Sequence, residues 1–138
     1  MRFMILVKAT ADSEAGAMPD ADLVAAMVDY HEALAKAGVL LDGAGLKPSR
    51  EGWRVRHSRG SRTIVDGPFA ETKELVAGYT LIQVRTRDEA IEWARRFPAP
   101  HGAGVAGEIE VRPLYELDDF PPSDGLDRFR ELQDRMPS

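Results

Sequence analysis

The chain contains no cysteine. Disulfide stapling, thiolate metal sites and cysteine nucleophiles are excluded at once. Histidine is scarce, with only His31, His57 and His101, and their spacing matches no metal-ligand pattern. Long apolar runs are missing as well. Stretches such as Phe3–Val7 fall far below the ~20 residues of a membrane span, and the N-terminus has no secretory h-region. A cytoplasmic location without membrane contact is therefore expected. No Gly-rich phosphate loop, nucleophile elbow, repeat or heptad pattern is present. Surplus positive charge is also lacking: the formal net charge is −5, which argues against direct nucleic-acid binding. No metal and no cofactor is expected. What remains is 138 residues with 43% hydrophobic and 30% charged content, the composition of an ordinary globular domain able to bury about two-thirds of its unfolded surface.

One stretch stands out, Asp66-Gly67-Pro68-Phe69-Ala70-Glu71-Thr72-Lys73-Glu74. It lies between two strand-like runs and is longer than a typical hairpin connection. Asp66-Gly67 is a turn pair and Pro68 fixes the backbone that follows. Phe69 has no reason to face water and is expected to pin the loop to the core. A stiff loop carrying Asp66, Glu71, Lys73 and Glu74 suits a ligand. The plain structural alternative is a capped turn with solvated charges.

The nonapeptide resembles the signature of the DGPF branch of the YCII-related family. The similarity continues in order through Met1–Met4, Lys8–Thr10, Asp12–Gly16, Ala37–Leu41, Gly45–Ser49, Glu89–Ala94 and Glu110–Pro113, and so covers roughly residues 1–120. The resemblance implies a ferredoxin-like α+β domain of the dimeric α+β barrel type, without a settled activity. Family members are often associated with alternative sigma factors, which implies regulation. More distant YCII-related enzymes pair a His on the first helix with an Asp after the second. Those positions fall at Met27 and Phe97-Pro98 here, so that dyad is not carried over.

Read in order, Phe3–Val7 is a strand covered on both faces. Ala9–Pro19 is a loop with Asp12 and Glu14 solvated. Asp20–Ala37 is a helix capped by Asp20 and stopped by Gly38, whose apolar stripe of Leu23, Val24, Met27, Val28, Leu34 and Ala35 includes His31 near its middle. Val39–Pro48 mostly redirects the chain and has room for a short strand. Trp53–His57 alternates as a half-exposed strand and pairs with Arg62–Val65. Their arginines, with Arg50 and Arg59, either protect a sheet edge or rim an anionic site. His57 reads as a surface residue. Gly78–Val84 is a strand with apolar residues on both faces. Thr86–Phe97 is a helix opened by a capping box. His101 is a solvated loop residue, and Gly107–Tyr115 the last strand. Asp124–Met136 is an amphipathic helix too short to be stable alone, which must dock and is a candidate subunit clamp.

The expected architecture is a mainly antiparallel sheet with two packing helices plus the C-terminal helix, a domain over 1–120 with an extension over 121–138, and a homodimer. Two functional classes fit. One is an unknown small-molecule pocket at the loop. If it is catalytic, Asp66 or Glu71 is the base and His31 the acid or orienting partner, with Phe69, Lys73, Tyr79 and Arg112 binding ligand, in lyase- or isomerase-like chemistry. The other is a non-catalytic accessory protein with sigma-factor-linked regulation. The residues leave open whether the chain is an enzyme.

Overall fold

The computed structural model describes residues 1–137; Ser138, the last residue of the expected extension, lies outside them. Strand β1 spans Arg2–Lys8, and a one-turn helix α1 spans Ala11–Glu14. Helix α2 is Ala21–Lys36, and strand β2 Leu40–Gly45. Strands β3 and β4 are Trp53–Ser58 and Ser61–Asp66. Strand β5 is Val76–Gln83, helix α3 Arg87–Arg95, strand β6 Ile109–Pro113 and helix α4 Asp124–Arg135.

Four strands form an antiparallel sheet in the order β2-β5-β1-β6, while β3 and β4 pair only with each other. The order is that of two interleaved βαβ halves, the ferredoxin-like α+β arrangement. Helices begin where local chemistry permits. Asp20, Thr86 and Ser123 each accept a hydrogen bond from the backbone N–H three residues on, satisfying one of the orphan donors of a first turn.

The core lies on one face of the sheet only. Phe3, Ile5 and Ile82 meet Tyr30 and Leu34 of α2 and Ala90 of α3. Ile5, Leu34 and Ile82 are fully buried, each worth about 1.5–3 kcal/mol in transfer. Tyr30 packs edge-on against Trp93 and Phe97 and donates from its hydroxyl to the Trp93 carbonyl at 2.7 Å. Burial pushes the Tyr30 phenol up to about 12.

Several expectations change. The segment after β1 is not all loop, because Thr10 and Ser13 form a capping box that starts α1. The Gly-punctuated segment after α2 does hold its short strand, an edge strand paired to β5 across one irregularity. Within the subunit the helices cover one side of β1: Phe3 and Ile5 are buried, while Met4 and Leu6 on the other side are half-buried. Val24 and Val28 are 47% exposed, so the buried stripe of α2 is narrower than its apolar pattern. Helix α4 buries Leu126 alone, leaving Phe129, Leu132 and Met136 exposed. Tyr115 lies beyond the last strand and is 77% exposed. No helix among the described residues is long and apolar enough to cross a membrane.

Two predictions follow from this packing. Leu34→Ala is expected to lower unfolding free energy by about 2–5 kcal/mol in urea titrations. The second concerns Arg2, which clasps Glu116 with two donors at 3.0 and 2.9 Å. That hydrogen bonding lowers the Glu116 carboxyl from its ordinary value. Its contribution is therefore present above the unfolded carboxylate value and lost as pH falls through the folded one. The stability gap between wild type and Glu116→Gln, small because the pair is half-exposed, should shrink on acidification; a constant gap from pH 7 to 2 would refute the assignment.

Candidate functional site

The nonapeptide loop is held by residues distant in sequence. Gly67 donates its N–H to the Gly52 carbonyl, and Phe69 donates its N–H to the Ser49 hydroxyl, both at 3.0 Å. Ser49 in turn donates its own N–H and its hydroxyl to the two carboxylate oxygens of Glu14. Arg50 donates to the Glu14 carbonyl at 3.1 Å. Glu14, expected to be solvated, is thus half-buried and is the anchor of the assembly; nothing in the local pattern at 9–19 signals a partner 35 residues away.

The contact at Gly67 is close. A Cβ there would stand 1.8 Å from the Ser49 carbonyl oxygen, so only glycine fits. The Gly67–Pro68 peptide is cis. Phe69 is half-buried, and the Arg54 guanidinium stacks 3.8 Å above its ring, an attraction between a cation and the ring face. Phe69 therefore ties the loop to the β3–β4 hairpin, outside the main core cluster, and Arg54 leaves the expected cationic rim. Glu71 adopts φ 62, the left-handed region uncommon for a residue with a Cβ, ahead of a 3-10 turn at Thr72–Glu74.

Asp66, Glu71 and Lys73 are exposed around this rigid frame, and their side chains form no hydrogen bond or ion pair among the described residues. His31 is elsewhere. Its Nδ1 donates to the Met27 carbonyl at 2.7 Å, and its Nε2 meets the Thr80 hydroxyl at 2.9 Å. Gly43 lies against the ring: a Cβ there would be 3.5 Å from Nε2. Thr80 belongs to the helix-covered face of the sheet. Tyr79 and Arg112 belong to the other face, because Tyr79 pairs with Leu6 and Arg112 with Met4. The sheet thus stands between His31 and those two residues. Tyr79 donates to Asp42 at 2.9 Å, and this raises its phenol above the ordinary value.

The open face carries Met4, Leu6, Tyr79 and Leu81 with Glu110, Arg112 and Asp42 around them. All four of the first group are only half-buried within the subunit. His101, expected to be solvated, is half-buried and donates from Nε2 to the Lys8 carbonyl at 2.8 Å. No three His, Asp or Glu residues among those described are grouped to hold a metal ion.

Comparison with known proteins shows the family of the chain. The YCII-related domain matches residues 1–118. The chain belongs to the YCII-related family. An uncharacterized protein of Rhizobium meliloti (strain 1021) is 41% identical over 93 residues, 67% of this chain and 70% of that protein. Among solved structures, a 5-chloro-2-hydroxyhydroquinone dehydrochlorinase from Burkholderia phenoliruptrix AC1100, in complex with 2,5-dihydroxybenzoquinone, covers 83% of this chain and 94% of its own. Its TM-score is 0.47 at 17% identity, a likeness too loose to transfer any property to this YCII-related chain.

Replacing Gly67 by Ala is expected to dislodge the loop of this YCII-related domain, lowering unfolding free energy by roughly 1–3 kcal/mol through overpacking. Glu14→Gln keeps the shape but removes the charge-assisted bonds to Ser49, so it should leave global stability nearly intact and raise amide exchange at Phe69. Unchanged exchange there would show that Glu14 does not anchor the loop.

Proposed function

We propose that this YCII-related protein, in its DGPF branch, is a homodimer that binds a small molecule at the Asp66–Glu74 loop. One observation supports it above the others. The loop backbone is fixed by Glu14, Ser49 and Gly52, yet the charged side chains of Asp66, Glu71 and Lys73 have no partner among the described residues. A rigid frame presenting unpaired charges, one of them on a backbone at φ 62, is the arrangement that pre-organised binding sites use.

The dimer is supported by the open sheet face. Met4, Leu6 and Leu81 form an apolar patch on the face away from the helices, only half-buried within the subunit, and self-complementary burial of such a face is the ordinary solution. Phe69, Tyr79 and Arg112 are candidate ligand contacts in that assembly, at the loop and on the paired faces.

Binding is favoured over turnover. His31 has both ring nitrogens engaged inside its own subunit, and acid/base chemistry by Asp66 or Glu71 with His31 requires them within hydrogen-bond reach. The same observation favours a non-catalytic accessory role as the second reading, and the family resemblance implies its link to alternative sigma factors.

A thermal-shift screen of wild type and Asp66→Asn against a metabolite library separates the cases. A ligand at a hundred times its dissociation constant adds about 2.7 kcal/mol, or several degrees for a domain of this size. A shift abolished by Asp66→Asn is the expected result. A shift indifferent to that change would move the site away from the loop, and no shift at all would favour the accessory role. Leu81→Glu is expected to convert the dimer to monomer in sedimentation velocity; a wild-type chain that sediments as monomer would remove the dimer.

A further inference from the structure

A concavity lies on the helix-covered side, at the β6 edge of the sheet and far from the nonapeptide in the chain. It has a volume of about 350 Å³ and is lined by Phe3, Ala90, Ile91, Ala94, Ile109 and Val111, with Pro113 at one end and Arg87 and Arg95 on the rim. Its origin is legible in α3. The helix presents alanine at 90 and 94, one turn apart, over the half-buried Ile109 and Val111. Short side chains above long ones leave a slot where a larger pair would have filled the core.

The rim is charged with one sign. Arg87 and Arg95 are separated by eight residues of one helix, about 12 Å along its axis. Both are exposed, and neither forms an ion pair among the described residues. An apolar slot edged by unpaired guanidinium groups complements a molecule with an apolar body and an anionic head, because the fork matches a carboxylate. The volume lies at the small end of ligand pockets.

We propose that this slot binds an apolar monocarboxylate of about ten non-hydrogen atoms in all, its chain against Ile91, Ile109 and Val111 and its carboxylate on Arg87 or Arg95. The site is independent of the loop proposed above and does not rest on that reading.

Calorimetric titration of the full chain with octanoate, 3-phenylpropanoate, 1-octanol and octylamine tests it. Saturable one-to-one binding of at least one carboxylate is expected, with a dissociation constant of order 0.1–1 mM. Octanoate binding alone would assign an aliphatic ligand, and 3-phenylpropanoate alone an aromatic one. The double change Arg87→Gln with Arg95→Gln should weaken carboxylate binding about tenfold and leave 1-octanol unaffected. Ala94→Trp, which fills the slot, should abolish binding. If circular dichroism shows that variant unfolded, Ile91→Glu sets a carboxylate on the lip and should have the same effect by repulsion. Neither carboxylate binding at 10-fold above that range, or equal binding of octylamine and octanoate, would overturn the proposal. So would binding unaffected by the arginine double change.

Discussion

Both long packing helices lie on the same side of a four-stranded sheet, and this one-sidedness governs the rest of the molecule. The strands alternate, so every second residue of β1, β5 and β6 reaches the core and every other one faces away. Phe3, Ile5, Ile82 and Val111 pack with Tyr30, Leu34 and Ala90. Their neighbours Met4, Leu6, Tyr79 and Leu81 face away from the helices and are half-buried within the subunit. The same division separates His31, on the helix side, from Tyr79 and Arg112 on the open side. Four strands need more width than two helices supply, and at the β6 edge the small residues of α3 leave an apolar concavity.

The loop from Asp66 to Glu74 depends on a different device. It is not part of the sheet, and the hairpin that leads into it pairs with nothing but itself. Its order comes from a carboxylate. Glu14 holds the N–H and hydroxyl of Ser49, and the same hydroxyl accepts from Phe69. Three stretches far apart in the chain are fixed through one serine oxygen. Bonds to a charged acceptor are stronger than neutral ones, which suits a segment with little apolar burial of its own. Arg54 over Phe69 adds a second tie on the hairpin side.

Much of the fold was legible. Caps at Asp20 and Thr86, the stop at Gly38, and the alternation through Gly78–Val84 all act within a few residues, and the helices and strands they mark are present. The misreadings share a cause. Glu14 and His101 were expected in water, and each instead meets a group more than 30 residues away. Val24, Val28 and the α4 residues Phe129 and Leu132 fit an amphipathic pattern, yet are exposed in the subunit. Periodicity shows which residues share a face, but not whether anything covers it.

Of the candidate site, the constrained backbone at Gly67 and the proline after it was legible, because local sterics alone impose it, and the loop there is held by hydrogen bonds. That Gly67 must be glycine for lack of room against Ser49 was not visible there, since the crowding atom belongs to a distant turn. The sequence by itself determined the family, the order of the main strands and helices, and the lack of any cysteine thiol, all of which depend on residue type and short-range geometry. Only the tertiary structure decided which face of the sheet each candidate residue occupies and which of them meet. Those outcomes depend on strand order and on contacts across the chain, where burial and hydrogen bonding between distant segments outweigh local preference.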